Sequence, residues 1–253
     1  MKIGAMDIVL GTTDDAVFAA AGELGLDGVE VNLKVAELKA GDSPRLTALR
    51  QLAERYGVAI ASCVLGEHNS GGLAAWWRGK DADDEVRLSI DWCRQLGART
   101  LLVPFFFSNE PKGRTHRDAV VARLKPLCAH AAGAGVTLAY EGVVQAPHLV
   151  EMARQIDSPA FGVYYDPANA TWCDFDIAAD VRALGPLLRQ AHVKEAKVFT
   201  GDAPPGEGRV DWKGFAAALR EIRYDRWLVL ETPGGEGVGK DVAFARDLAA
   251  GIT

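Results

Sequence analysis

Hydrophobic and polar positions along the chain repeat as one unit: an amphipathic helical stretch, a glycine, then a short β-branched or aromatic run. It is plain in AAAGELGLDGVEVNL (19–33), RQLAERYGVAIASCVL (50–65), CRQLGARTLLVPFF (93–106) and CAHAAGAGVTLAYEG (128–142). Gly25, Gly57, Gly97 and Gly135 stand where a helix must stop in a left-handed turn that glycine adopts cheaply. Start signals match: Ser43-Pro44 reads as an N-cap with proline at the first helical position, and Asp176 and Asp211 each precede an apolar-periodic stretch.

The apolar runs predict strands over 3–6, 29–33, 59–65, 100–106, 137–141, 161–165, 190–194 and 227–231, each followed by a helical pattern. Strand–helix alternation requires parallel pairing through right-handed crossovers. Eight units in 253 residues, about 32 each, predict an α/β fold of one closed (β/α)₈ barrel, a single domain over 1–253. An open doubly wound sheet is the alternative. Against it, the first strand is followed by MDIVLGTTDD and not by the glycine pattern of a dinucleotide site.

Composition narrows the partners. With 28 Lys+Arg against 34 Asp+Glu the net charge is −6, which argues against nucleic acid or an anionic membrane, since both need a basic footprint. No apolar run approaches the roughly 20 residues of a membrane span. Met1-Lys2 leads straight into a strand-like run without an apolar leader or cleavage site. Four scattered cysteines, Cys63, Cys93, Cys128 and Cys173, read as reduced side chains of a cytoplasmic protein.

In such a barrel the chemistry sits at the carboxyl ends of the strands, so polar residues closing apolar strands carry the information. Four strands in succession supply one: Glu141 in TLAYEG, Asp166 in FGVYYDPAN, His192 in QAHVKE and Glu231 in WLVLETPGG. Singly, each has a plainer reading as a cap, a turn starter or a hydrogen-bonded core histidine. Together, three carboxylates converging on one point repel strongly unless a divalent cation neutralises them. The O/O/N/O set suits one ion, with Mn²⁺ favoured over Mg²⁺, Co²⁺ or Zn²⁺.

From KIGAM and GLDGVEVN through YEG, YYDPAN and HVKE to LET, the chain resembles the xylose isomerase-like barrel superfamily. That group holds sugar and sugar phosphate isomerases and epimerases (tagatose 3-epimerase among them), hydroxypyruvate isomerase, inosose dehydratase and, more distantly, endonuclease IV. The resemblance implies that Glu141, Asp166, His192 and Glu231 hold one metal ion and that Glu141 and Glu231 double as the acid/base pair. Physical logic agrees. A metal-chelated carbonyl stabilises a cis-enediolate, while one carboxylate removes the neighbouring proton and another group returns one. The resemblance also implies dimers or tetramers.

Departures matter. Asn169 stands where the family often has histidine; it can bond a substrate oxygen but is a poor metal ligand. Lys194 either contacts substrate oxygens or pairs with Glu195 or Glu207. His68, in LGEHNSGG, and Arg209, in GEGRVDW, are candidate pocket residues, with an exposed loop position the plainer alternative. The stretch TPGGEGVGKD nearly matches a phosphate-binding loop through Gly234, Gly239 and Lys240, but Asp241 replaces the required hydroxyl and Glu236 opposes an anion. Trp76, Trp77, Phe105, Phe106, Phe107, Tyr165 and Trp172 cluster near strand ends, mostly as expected packing, with one or two free to stack on a sugar. The expected function is a metal-dependent isomerase or epimerase of a small carbohydrate or hydroxy-carbonyl compound. Alternatives are a dehydratase on the same scaffold, a non-catalytic sugar-binding barrel, and an abasic-DNA nuclease of the endonuclease IV kind. The nuclease is disfavoured by the net charge and by the missing histidines of its three-zinc cluster.

Overall fold

The computed structural model describes residues 1–41 and 43–252. Eight strands pair in chain order into a closed barrel: β1 (Lys2–Met6), β2 (Gly28–Asn32), β3 (Ala59–Val64), β4 (Thr100–Phe105), β5 (Thr137–Gly142), β6 (Phe161–Tyr165), β7 (Leu188–Val193) and β8 (Trp227–Leu230). Every pairing is parallel. Closure comes from β8 on β1, in register from Lys2↔Trp227 to Ala5↔Leu230, and it decides against the open sheet. Strand ends lie within two residues of those predicted. The largest difference is in β7, which starts at Leu188 because that residue already pairs with Val163 ahead of a register shift.

The helix-ending glycines behave as expected: Gly57, Gly97 and Gly135 take φ of 65, 76 and 70° at the ends of Pro44–Tyr56, Gly79–Leu96 and Gly113–Ala134. Asp176 and Asp211 cap their helices by accepting from Ala179 and Gly214 N–H. Ser43 holds the N-cap position before Pro44, but its hydroxyl makes no capping bond, so proline's fixed φ is the stronger start signal there.

The core fills the space between barrel and helices, where Phe18, Leu49, Ile90, Leu127, Val181 and Phe215 are wholly buried. Each such side chain contributes roughly 1.5–3 kcal/mol. Inside the barrel the filling is partly polar. Glu30 (β2), Ser62 (β3), Gln190 and His192 (β7) are all buried, and register shifts at Val29/Glu30 and Val163/Tyr164 lie beside this layer. The four cysteines are unpaired. No helix among the described residues is long and apolar enough to cross a membrane.

Candidate active site

Each of the four strand-end residues is placed by a local device. Glu141 is the penultimate residue of β5, and His192 sits one residue before the end of β7. Asp166 follows β6 as the N-cap of the helix Pro167–Trp172. Its Oδ1 accepts from Ala168 N–H (2.7 Å) and Asn169 N–H (3.1 Å), which leaves Oδ2 aimed elsewhere. The helix-starter and ligand readings of this aspartate are therefore one arrangement. Glu231 lies just past β8 and is pinned by its own N–H to Val193 C=O at 3.1 Å.

One ligand atom from each of Glu141, Asp166, His192 and Glu231 falls within 4.8 Å of the others. His192 Nδ1 faces all three carboxylates, 2.9 Å from Glu231 Oε2, 3.3 Å from Glu141 Oε1 and 4.0 Å from Asp166 Oδ2. Yet Nδ1, Asp166 Oδ2 and Glu231 Oε2 are buried without a hydrogen-bond partner. Ion pairing at these distances, with Lys194 3.4 Å from Asp166 Oδ2, satisfies them only in part, and three such buried atoms aimed at one point are costly unless something bonds them. The chemistry of the set fits a divalent cation, which Glu141, Asp166, His192 and Glu231 would hold.

Electrostatics separate the two glutamates. Burial, reinforced by the Glu231 and Asp166 charges, pushes the Glu141 carboxyl up to about 7. Burial would also raise Glu231, but the His192 and Lys194 charges outweigh it and hold that carboxyl down at about 2. Burial works against charge on His192 as well, but the surrounding carboxylates, Glu231 foremost, keep its pKa well above the ordinary value. A metal ion must displace these protons, so its affinity should fall as the pH drops. We expect about tenfold per unit or more below pH 7, with one to two protons released on binding, measurable by titration calorimetry in buffers of different ionisation enthalpy.

Glu141, His192 and Glu231 line a cavity of about 260 Å³, and Asp166 stands beside them, outside its lining. Asn169 and Lys194 line it, together with Asn32, Asn69 and Thr200, which the sequence reading did not single out. Asn169 bridges Glu141 Oε1 (3.4 Å) and Thr200 Oγ1 (2.7 Å). Lys194 pairs with neither Glu195 nor Glu207. Its ammonium sits 2.9 Å from Glu231 Oε1 and 3.4 Å from Asp166 Oδ2, because the chain turns at the end of β7 and aims successive side chains apart. Glu195 points the other way and clamps the following loop, accepting from Ala196, Gly206 and Val210 N–H and from the Trp212 indole. Glu195→Ala would strand those donors. We expect a loss of roughly 2–4 kcal/mol in thermal unfolding, and faster proteolysis within 196–210.

His68 and Arg209 lie outside the cavity lining. His68 is wholly buried, its Nε2 2.7 Å from Glu85 Oε2, and Glu85 also binds Arg78 and Lys39. The histidine anchors the turn whose Gly66 and Asn69 do reach the cavity. Arg209 donates from Nε to Lys197 C=O and ties the loop after β7 to itself. The glycine-rich stretch borders a separate cleft with Val9, Leu10 and Glu23, and the acidic Glu23 and Glu236 make that cleft unsuited to phosphate. Of the aromatics, Phe106 and Phe107 line the cavity, and Phe105 stacks on Tyr140 in the core. Tyr165 packs on Phe215, while Trp76, Trp77 and Trp172 stay exposed. The missed residue with most consequence is Glu30, whose Oε1 lies 3.3 Å from His192 Nε2. A charge between Val29 and Val31 in a strand of a closed parallel barrel was its signal, since alternation turns it inward.

A closed eight-stranded barrel with a carboxylate–imidazole quartet at the carboxyl ends of β5 to β8 defines a class, and the comparisons agree. The family model described as xylose isomerase-like TIM barrel matches residues 18–248, and the chain belongs to that family. L-ribulose-5-phosphate 3-epimerase UlaE of Salmonella paratyphi C is 28% identical over 252 residues, covering 88% of this chain and 84% of the relative. Among solved structures, a D-tagatose 3-epimerase-like protein superposes with a TM-score of 0.83 at 19% identity, covering 100% of this chain and 98% of the other. The D-allulose 3-epimerase of a Methylomonas species, solved with D-allulose, gives 0.76 at 20% identity over 92% and 84%. In that company the chain is an enzyme of the sugar isomerase and epimerase class.

Proposed function

We propose that this chain is a cytoplasmic, divalent-metal-dependent epimerase of a small unphosphorylated ketose, inverting the carbon next to the carbonyl. The observation that carries the reading is the quartet itself, four ligand atoms within 4.8 Å of one another beside a cavity that Glu141, His192 and Glu231 line. A divalent ion there would polarise the ketose carbonyl and its neighbouring hydroxyl, making the intervening C–H acidic. Glu141 and Glu231 come from strands three places apart around the barrel, so their carboxylates reach the centre from different sides. One takes the proton from one face of the carbon and the other delivers a proton to the opposite face, which inverts it. Lys194 keeps Glu231 ionised, and Asn169 and Thr200 offer donors and acceptors to sugar hydroxyls. Met6, Val64, Leu102, Pro104 and Phe106 form an apolar wall against a sugar's C–H face and keep water off the reacting carbon.

The cavity is smaller than the about 300–1,000 Å³ of sites for drug-sized ligands, which suits one small sugar. Among its described lining residues Lys194 is the sole Lys or Arg, and two carboxylates already hold it, while His192 faces three, so no free cationic side chain is left for a phosphate. Abasic DNA fits worse: the described residues hold one cluster of four candidate ligands, and the net charge is −6.

The test is a panel of ketoses and ketose phosphates with Mn²⁺-loaded protein in deuterated water, followed by NMR. Deuterium at the carbon next to the carbonyl, with the epimer appearing, is the expected result. An unphosphorylated ketose should exceed its phosphate ester at least tenfold in kcat/KM. Preference for the ester would overturn the substrate assignment, loss of water would make the enzyme a dehydratase, and binding without exchange would make it a sugar-binding barrel.

A further inference from the structure

We propose that Glu30 is a positioning residue that fixes which nitrogen of His192 faces the metal ion; this rests on the metal-dependent reading above. His192 presents both ring nitrogens to carboxylates. Nδ1 points into the quartet, while Nε2 points down the barrel to Glu30 Oε1 at 3.3 Å. Glu30 is wholly buried in β2 and is not one of the four converging residues. Its other oxygen accepts from Ser62 Oγ at 2.5 Å, and that hydroxyl accepts from Gln190 Nε2 at 3.0 Å. The carboxylate is thus held on the side away from His192. The Tyr164 ring packs on the imidazole with centroids 4.4 Å apart, so the ring cannot swing freely.

A neutral imidazole has one N–H and one lone pair, and the hydrogen bond made by one nitrogen selects the role of the other. With Nε2–H donated to Glu30, the Nδ1 lone pair is free for a cation. The opposite tautomer would aim an N–H at the quartet and leave the Nε2 lone pair facing a carboxylate, which repels it. A residue needed only to fill the barrel would be apolar, as branched side chains dominate such interior layers. A buried carboxylate is kept at this point because a second carboxylate orienting a ligating histidine also raises its basicity.

The test compares wild type, Glu30→Gln, Ser62→Ala and His192→Ala, all stripped of metal, by Mn²⁺ titration calorimetry alongside circular dichroism. Glu30→Gln keeps size and loses charge, and should bind Mn²⁺ about 10–100-fold more weakly with an unchanged spectrum. Ser62→Ala, which only loosens Glu30, should lose less. A second readout needs no Glu30 variant: NMR of ¹⁵N-histidine-labelled, Zn²⁺-loaded wild type should show His192 protonated on Nε2 and ligated through Nδ1. The signal is assigned by its loss in His192→Ala. A proton on Nδ1 with metal on Nε2, or Mn²⁺ affinity of folded Glu30→Gln within twofold of wild type, would overturn the proposal. If Glu30→Gln does not fold, the tautomer alone decides. Wild type that binds no divalent ion overturns the metal-dependent function and this proposal together. Wild type that binds, with Glu30→Gln unaffected, overturns this proposal alone.

Discussion

Glu141→Gln and Glu231→Gln, each saturated with Mn²⁺, should lose turnover by a factor on the order of 10²–10⁴, the usual worth of general acid–base catalysis. The amide keeps the shape of the side chain and an oxygen toward the metal, but it cannot carry the proton. Both variants should fold and retain weakened metal binding, checked by calorimetry before any rate is measured. They need not fail alike. Glu141 and Glu231 reach the site from β5 and the end of β8, so under the proposed function each would face a different side of the reacting carbon. For a given epimer, replacing the glutamate on the abstracting side should abolish deuterium exchange. Replacing the other should block epimer formation and leave exchange from that starting sugar. Near-normal rates in both would remove the glutamates from proton transfer and leave Lys194, 2.9 Å from Glu231, as the next group to test.

His192→Ala should have the largest effect on the metal. It deletes the nitrogen of the quartet and leaves Glu30, Glu141, Asp166 and Glu231 around a void, so Mn²⁺ affinity should fall by at least about 10², beyond the loss expected of a supporting group. Mn²⁺ should raise the unfolding temperature of wild type and not that of the variant. The metal-free variant should also be less stable, because removing one partner of a buried charge cluster costs about 3–5 kcal/mol. The pH dependence has a defined sign. The folded-state pKa of His192 lies well above its ordinary value. Its contribution is therefore complete below the unfolded value of about 6.5 and declines as the pH rises through the folded one. The gap between metal-free wild type and variant should be widest near pH 6 and narrow toward alkaline pH. A gap that widened with pH would show that His192 is not the counter-charge of the quartet.

Much of this protein was legible in the order of its residues, because the relevant physics is local. Glycine at the end of each amphipathic stretch, an aspartate or proline at the start of the next, and β-branched runs of strand length led to eight strand–helix units, and the closed barrel has those strands within two residues. Once the units are in register, position within a unit translates into height in the barrel. Glu141, Asp166, His192 and Glu231 therefore read as neighbours although up to 90 residues separate them.

What stayed hidden depends on direction and not on height. Lys194 and Glu195 are adjacent, yet one closes the charge balance of the quartet and the other clamps a loop, because the turn after β7 sends them to opposite sides. His68 and Arg209 sit in mouth loops as expected, but loop conformation turns them toward Glu85 and Lys197 C=O and away from the cavity. Glu30 and His192 are 162 residues apart, and only barrel closure and the registers of β2 and β7 bring them to 3.3 Å. Periodicity and capping determined which residues face inward and how high each stands. Which of them touch was decided by closure of the sheet, since a contact across a barrel is set by register and side-chain direction, and neither is written in local sequence.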